Sequence, residues 1–194
     1  QITLGALVSG ISPDYEKQVS IIEKHMESGS LDALTPGSFG MVLGSSMAYR
    51  LGVFPGDKVT LVDGDVRDCD AVKAATEGCE VVWHLAYING TRYFYEKPDM
   101  VLEVGIKGTQ NTIEAALECG VRRYVLASTS ETYNEPSHVP TTESERLMIP
   151  DVTNPRFSYG GGEIACELLT LHLGGFRGLE TVIFRPHNFI GPDM

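Results

Sequence analysis

The sequence lacks an excess of positive charge, a long apolar run and a paired set of cysteines. It has 194 residues, with 15 Lys and Arg against 26 Asp and Glu and a formal net charge of −11. Without a basic cluster we expect no binding to nucleic acid, whose phosphates attract Lys and Arg. No apolar run approaches the ~18 residues that span a bilayer, so we expect no membrane span. The four cysteines form no C-x-x-C pair, which favours isolated buried thiols over a disulfide or a metal site.

Short apolar runs alternate with helical patterns from Asp63 onward. Three apolar runs and two helical patterns follow one another, at residues 80–86, 104–119, 123–127, 159–173 and 180–185. Nearly continuous Val, Ile and Leu strands separated by helices are typical of βαβ units, in which a parallel sheet is covered on both faces. We therefore predict an α/β fold in which 63–194 forms a partial Rossmann-like, doubly wound parallel sheet.

Residues 1–62 lack this alternation and predict a small α+β segment. A helix is expected to begin at Pro13, because apolar residues follow it at helical spacing. The glycines of 37–44 match the spacing of a nucleotide-binding loop, but that loop needs a buried strand immediately before it. No such strand precedes Gly37, so we favour turn glycines over a phosphate cradle.

Three stretches of this first segment carry a family resemblance. They are Gly10-Ile11-Ser12-Pro13, the stretch 29–37, and the stretch 42–61 with Val42-Leu43-Gly44 and Arg50-Leu51-Gly52-Val53. Together they resemble the extracytoplasmic portion of lipoprotein-releasing ABC transporter permeases. The resemblance implies that 1–62 is a periplasmic segment, and it makes a transport-associated domain one alternative function.

Five polar motifs follow the predicted strands or open the second predicted helix of the longer segment. They are Asp63-Gly64-Asp65-Val66-Arg67-Asp68, His84-Leu85-Ala86-Tyr87, Ser128-Thr129-Ser130-Glu131-Thr132-Tyr133, Ser158-Tyr159-Gly160-Gly161-Gly162-Glu163 and Phe184-Arg185-Pro186-His187-Asn188. Open α/β sheets bind ligands at the carboxyl ends of their strands. Three glycines in the first turn of a helix each cost about 1 kcal/mol against alanine, which indicates a need for close approach.

In this order the motifs resemble the extended short-chain dehydrogenase/reductase superfamily, specifically the NAD-dependent epimerase/dehydratases of nucleotide sugars. The resemblance covers 63–194. It implies NAD, or alternatively NADP, as the cofactor and a nucleoside-diphosphate sugar as the substrate. It also implies a cytoplasmic location, and a homodimer as an assembly found among intact relatives.

The same resemblance implies roles for individual residues. The expected cofactor-binding residues are Asp65, Val66, Leu85, Ala86, Tyr87, Pro186 and His187. The expected catalytic residues are Thr129, Glu131, Tyr159 and Glu163, and the expected substrate contacts are Ser130 and Asn188. Tyr159 matches the catalytic tyrosine, Thr129 the hydroxyl that binds the reacting sugar hydroxyl, and Glu131 a carboxylate base of some dehydratases.

Glu163 stands where the family has a lysine, four residues after the tyrosine. A lysine there lowers the pKa of the phenol, whereas a carboxylate raises it. The glycine-rich loop of the family also has no counterpart before Asp65. We therefore expect a fragment of an epimerase/dehydratase, inactive as written and joined to a permease-like piece, with a non-catalytic binding module as the alternative.

Overall fold

The computed structural model describes residues 2–5, 13–35, 40–45, 48–49, 52–57, 60 and 62–187. The chain divides into two compact units. One consists of Gln1–Ala6 together with Val62–Met194, and the other of Leu7–Leu61. The predicted segments 1–62 and 63–194 differ from these units, because the first six residues belong to the larger unit.

A four-stranded parallel sheet forms the centre of the larger unit. Its strands are β1 (Ile2–Gly5), β2 (Val81–His84), β3 (Arg123–Ala127) and β4 (Glu180–Phe184). They lie in the order β1-β2-β3-β4, and every neighbouring pair is parallel. All four carboxyl ends therefore meet at one edge of the sheet. The predicted α/β fold with a parallel sheet is confirmed.

β1 is the strand that the sequence analysis did not predict. Its residues pair with β2 in the register Ile2 to Val81 and Gly5 to His84. Its four residues include a glycine, a residue type depleted in strands, so the local strand signal is weak. Pairing with a strand far along the chain, rather than local propensity, determines its conformation.

Along the chain, helices lie between the strands of the larger unit, and the first helix lies in the smaller unit. They are α1 (Pro13–Val19), α2 (Cys69–Thr76), α3 (Thr91–Glu96), α4 (Pro98–Leu102), α5 (Gly108–Glu118) and α6 (Ser158–Leu168). α1 begins at the predicted proline and ends at Val19, and a 3₁₀ turn over Ile22–His25 follows it.

Two π-helical turns extend the long helices. Glu103–Lys107 joins α4 to α5, and Leu169–Gly174 continues α6. The helical patterns predicted over 104–119 and 159–173 are therefore confirmed, with a wider turn inside or after each. Such turns are frequent near functional sites because they shift the side chains that follow them.

The main core lies between the sheet, α5 and α6. Its buried members include Val82, Ile113, Tyr124, Leu126 and Cys166. Cys79 is also buried, as expected of an isolated thiol, whereas Cys69 is exposed and Cys119 partly exposed, so the expectation of four buried thiols was wrong for these two. Within the ranges described above, no helix is both long and apolar enough to cross a membrane.

Candidate functional site at the carboxyl edge of the sheet

The loops that follow β3 and β4 are joined by backbone hydrogen bonds beyond the ends of the strands. The Ser128 amide donates to the carbonyl of Phe184 at 2.9 Å, and the Ser130 amide donates to the carbonyl of Pro186 at 3.1 Å. These bonds hold Ser128, Ser130 and Pro186 side by side at the carboxyl edge. Open α/β sheets bind their ligands at this edge.

Tyr159 lies in the first turn of α6 and packs between two aromatic rings. The Phe94 ring stacks on it at 5.1 Å and 9°, and the Tyr87 ring meets it edge to face at 5.1 Å and 88°. Tyr159 is 6% exposed. Burial raises the pKa of its phenol well above the usual value, the Glu163 charge raises it further, and the Thr129 side chain opposes both effects.

The glycines that open α6 are required by protein contacts. A Cβ atom on Gly160 would lie 3.3 Å from the backbone oxygen of Glu131, and one on Gly162 would lie 2.1 Å from the Tyr87 hydroxyl oxygen. On the other side, a Cβ atom on Gly105 would lie 2.0 Å from Cζ of the same tyrosine. The close approach predicted from these glycines is therefore confirmed, and its partners are a loop and a tyrosine ring.

Glu163 follows Tyr159 by one helical turn and is 1% exposed. Its Oε2 atom has no hydrogen-bond partner among the described residues. Burial raises the pKa of this carboxyl to about 8, the hydrogen bond with Tyr159 acts against the rise, and the charge of Glu167 adds to it. The carboxyl therefore carries a proton at neutral pH.

A second buried carboxylate, Glu167, lies one turn further along α6 in different surroundings. Arg185 donates to its two oxygens, from Nε at 2.7 Å and from Nη2 at 2.5 Å, and the Ser128 hydroxyl donates to Oε1 at 2.6 Å. Arg185 also donates to the Tyr133 hydroxyl at 2.9 Å. The motifs of the sequence do not predict this network, although the spacing of Glu163 and Glu167 places them on one face of the helix.

Glu131 is held by a cation that the sequence analysis also missed. The Arg156 Nη1 atom donates to Glu131 Oε2 at 2.9 Å, and the guanidinium carbon lies 5.3 Å from the centre of the Phe94 ring. Thr129 caps the turn that carries Glu131, because its hydroxyl accepts a hydrogen bond from the Glu131 amide at 3.2 Å. The carboxylate expected to act as a base therefore lies in an ion pair at the protein surface.

A polar cavity of about 340 Å³ opens beside these residues. Its polar lining side chains are Ser130, Glu131, Asn134, Thr141, Arg156 and His187. Both charge signs and several hydroxyl or amide groups face the cavity, so it suits a ligand with many hydrogen-bonding groups better than an apolar one.

The predicted adenine-side residues lie in the loop before α2. Asp65 accepts hydrogen bonds from the Arg67 amide and from its guanidinium, which together lower the pKa of that carboxyl to about 2. The Val66 carbonyl accepts from Asn111 Nδ2 at 2.9 Å, and a Cβ atom on Gly108 would lie 2.7 Å from the Val66 side chain. This loop is therefore fixed against α5.

The remaining predicted positions lie in the loops that follow β2 and β4. Leu85 and Ala86 are half-buried after β2, and His187 is exposed after β4. His84 is buried against the Thr109 hydroxyl at 3.1 Å and is structural. Asn188 lies outside the described residues. In the smaller unit, a Cβ atom on Gly44 would meet no atom within 4 Å, so close packing does not require that glycine.

Comparison with known proteins identifies related sequences and structures. The "NAD dependent epimerase/dehydratase family" matches residues 41–194. A 3beta-hydroxysteroid-dehydrogenase/decarboxylase (isoform 2) of Arabidopsis thaliana is 29% identical over 135 residues, 70% of this chain and 23% of that protein. The UDP-glucose 4-epimerase of Streptomyces lividans is 30% identical over 151 residues, 76% of this chain and 44% of that protein. Among solved structures, dTDP-glucose 4,6-dehydratase from Streptomyces venezuelae with NAD bound superposes with a TM-score of 0.59 at 26% identity, over 66% of this chain and 38% of that one.

These matches bear on the interpretation of the first segment. The family match begins at residue 41, so the whole of the stretch 42–61 that was compared with permeases lies within the epimerase/dehydratase match. The resemblance to a permease and the interpretation of the chain as a chimera are not supported. The chain spans less than half the length of the curated relatives it matches.

Proposed function

Because the chain belongs to the NAD-dependent epimerase/dehydratase family, we propose that it takes part in the oxidation of a hydroxyl group of a nucleotide sugar, with NAD as the cofactor. The observation that carries the proposal is the position of Tyr159, which is buried between two rings and directly precedes Gly160, a residue that lines the polar cavity together with Ser130 and Glu131. Whether the product is then epimerised, dehydrated or reduced depends on parts of the site beyond these residues.

The character of the cavity supports a sugar nucleotide over a steroid, the substrate that the name of the Arabidopsis relative indicates. A steroid would need a mainly apolar surface, whereas this cavity presents Glu131, Arg156 and His187 together with neutral polar groups. A sugar nucleotide carries hydroxyls and phosphate oxygens, which suit such donors and acceptors.

The described residues fit a dinucleotide at the same edge. Asp65 offers carboxylate oxygens at the surface for an adenine amine or a ribose hydroxyl. Towards the tyrosine, Glu163 Oε2 is a buried oxygen without a partner among the described residues, and Leu85 and Ala86 leave part of their surface open after β2. Bound NAD supplies the acceptor for a hydride from the sugar.

The residues of the chain supply binding and proton handling. Thr129 orients the reacting sugar hydroxyl, and Tyr159 exchanges a proton with it. Arg156 fixes the position of Glu131 at the rim of the cavity. General acid–base groups of this kind need to lie within hydrogen-bond reach of the substrate oxygen.

A non-catalytic binding module is the second candidate. The observation that favours it is the raised pKa of Tyr159, which buried surroundings and a neighbouring carboxyl keep protonated at neutral pH. A binding module keeps the affinity for the dinucleotide and produces no reduced cofactor.

Titration calorimetry with NAD at millimolar concentration tests the proposal. We expect binding to the unmodified chain, and Asp65→Ala to weaken it about tenfold through loss of a charge-assisted hydrogen bond. Asp63→Ala, two residues earlier in the same loop, is the matched control and should leave the affinity unchanged. Absence of binding to the unmodified chain would contradict both candidates. Formation of NADH with UDP-glucose as the probe would favour the enzyme over the binding module.

A further inference from the structure

The side chain of Arg156 lines the polar cavity and uses only part of its hydrogen-bonding capacity. Its Nη1 atom donates to Glu131 Oε2 at 2.9 Å. Its Nε and Nη2 atoms have no hydrogen-bond partner among the described residues, and the side chain is 34% exposed. Nε and Nη2 form one edge of the planar guanidinium, from which two parallel N–H bonds point outward. This edge is therefore available to a ligand in the cavity.

Arg185 shows what the same edge of a guanidinium binds elsewhere in this chain. Its Nε and Nη2 atoms both donate to the Glu167 carboxylate, at 2.7 Å and 2.5 Å. Its Nη1 atom donates to a different group, the Tyr133 hydroxyl. Arg156 has the corresponding bond from Nη1 but has no carboxylate among the described residues at the Nε–Nη2 edge. A carboxylate is therefore the group that would complete its hydrogen bonds.

Glu131 does not exclude a second carboxylate from Arg156. Arg67 binds two carboxylates at once, because its Nε and Nη2 atoms donate to Asp65 and its Nη1 atom donates to Glu103 at 2.9 Å. Glu131 takes the position on Arg156 that Glu103 takes on Arg67, with the same distance of 2.9 Å. The position that corresponds to Asp65 is the one left for a ligand.

The guanidinium of Arg156 is held beside the aromatic rings that surround Tyr159. Its Cζ atom lies 5.3 Å from the centre of the Phe94 ring, and that ring stacks on Tyr159 at 5.1 Å. The contact with a flat ring limits the conformations of the arginine, so less freedom is lost when the guanidinium binds a ligand. Because the proposed function places Tyr159 at the reacting sugar hydroxyl, we expect the charge bound by Arg156 to belong to the sugar rather than to the diphosphate.

Resting on the proposed function, we propose that Arg156 selects a nucleotide sugar whose sugar carries a carboxylate, as in a uronic acid. The two carboxylate oxygens accept parallel hydrogen bonds from Nε and Nη2, a geometry that suits the planar guanidinium. A neutral hydroxymethyl group at the same place on the sugar offers one oxygen and no charge, so it gains less from the same arginine. Arg156 is therefore a specificity-determining residue of the cavity.

Titration calorimetry with UDP-glucuronate, UDP-glucose and UDP tests this assignment, without NAD so that the result does not depend on the cofactor. At neutral pH we expect UDP-glucuronate to bind about tenfold more tightly than UDP-glucose, through its charge-assisted hydrogen bonds. Arg156→Gln should reduce the affinity for UDP-glucuronate to that for UDP-glucose. Arg156→Lys keeps the charge without the two-donor edge, so it should retain only part of the preference.

Arg122→Gln is the matched control, because it removes an arginine charge just before β3, at the opposite edge of the sheet. It should leave the preference for UDP-glucuronate unchanged. Circular dichroism confirms that each variant is folded.

Equal affinity of the unmodified chain for UDP-glucuronate and UDP-glucose would overturn the proposal, as would the absence of binding to UDP-glucuronate. Equal weakening of UDP and UDP-glucuronate by Arg156→Gln would also overturn it, because the arginine would then bind the diphosphate. NAD binding is measured separately. A chain that binds NAD and shows no preference for UDP-glucuronate therefore keeps the proposed function and loses this inference, whereas a chain that prefers UDP-glucuronate and does not bind NAD loses the proposed function.

Discussion

The hydroxyl oxygen of Tyr87 lies 2.1 Å from the point where a Cβ atom on Gly162 would stand. On the other side of the ring, its Cζ atom lies 2.0 Å from the corresponding point on Gly105. The ring is therefore clamped between α6 and the π-helical turn Glu103–Lys107, and its edge supports Tyr159. Glycines at both positions are a condition for this arrangement of aromatic rings.

Gly162→Ala should destabilise the protein by about 1–3 kcal/mol, because the added methyl group overpacks the contact with Tyr87. Adding Tyr87→Phe should restore most of the loss, since the clash at Gly162 comes from the hydroxyl and the next ring atom is 3.4 Å away. Tyr87→Phe alone should stabilise the protein by about 1 kcal/mol, because it removes a buried hydroxyl without a partner among the described residues. Urea unfolding of the single and double variants measures these effects.

Gly105→Ala provides the contrast within the same clamp. Tyr87→Phe should not rescue it, because the clash there is with the ring carbon Cζ. Gly64→Ala, whose Cβ atom would meet Ala71 at an ordinary 3.6 Å, should change stability little. If Tyr87→Phe restored the stability of Gly105→Ala as fully as that of Gly162→Ala, the contact of Gly105 with the ring carbon Cζ would be contradicted.

Stability should fall as the pH rises from 6.5 to 8. The pKa of Glu163 is about 8 in the folded protein and 4.5 for an ordinary glutamate. Between pH 6.5 and 8 the folded protein therefore holds a proton on Glu163 that the unfolded chain does not hold. The free energy of unfolding falls as the pH rises through this range, because the folded protein loses that advantage when Glu163 is deprotonated. His84 acts in the opposite direction, but only below pH 6.5, because burial lowers its pKa to about 4. The loss in this window is on the order of 1–2 kcal/mol, from about 1.4 kcal/mol per pH unit.

Thermal or urea unfolding at several pH values measures this slope. Glu163→Gln should flatten it, because the amide does not titrate. Glu114→Gln, on the partly exposed side of α5, should keep it. A slope that persists in Glu163→Gln would assign the pH dependence to another group.

Arg185→Ala should destabilise the protein by about 3–5 kcal/mol, because it leaves the Glu167 carboxylate buried without its cation. Arg185→Lys should recover only part of this, since an ammonium cannot make the two parallel bonds of the guanidinium to one carboxylate. Denaturant unfolding compares the two variants.

The exposed pair Arg92 and Glu96 supplies the control for that measurement. It also joins an arginine to a glutamate, at 2.8 Å, but on the surface of α3. Arg92→Ala should cost less than about 1 kcal/mol. If Arg92→Ala and Arg185→Ala lowered the free energy of unfolding by similar amounts, burial of the Arg185–Glu167 pair would not explain its contribution to stability.

Glu163→Lys should lower the pKa of Tyr159, since an ammonium in place of the carboxyl favours the phenolate. Ultraviolet difference titration follows phenolate formation, and the signal that disappears in Tyr159→Phe identifies the residue. A Tyr159 titration at the same pH in Glu163→Lys and in the unmodified chain would contradict the influence of this position on the phenol.

The sequence predicts β2 to β4 and the two long helices because each has a strong local signal. Val81–His84 and Arg123–Ala127 are nearly continuous apolar runs, and α6 carries apolar residues at helical spacing. β1 could not be predicted, because its conformation depends on pairing with β2. The resemblance of the first segment to a permease is not supported, and short glycine and proline turns of the kind that carry it recur in unrelated proteins.

The candidate site could be predicted in part. The motifs locate Thr129, Tyr159 and Glu163, because residue types at fixed offsets from strand ends are visible in sequence. Partners that come from distant elements are not visible in this way: Arg156 reaches Glu131, and Arg185 reaches Glu167, only after the sheet has formed.

The pairing of β1 with β2 has a consequence for the order of folding. β2, β3 and β4 follow one another along the chain through helical connections, whereas Gly5 and His84 meet only after the whole intervening chain has closed into a loop. Loop closure costs entropy before contacts are gained, so β1 should dock last. In pulsed hydrogen exchange during refolding, its amides should gain protection after those of β3. β1 also borders the edge of the sheet where ligands bind. A ligand that contacts β1 would therefore bind only to chains in which this strand has docked, and would stabilise the fully folded state.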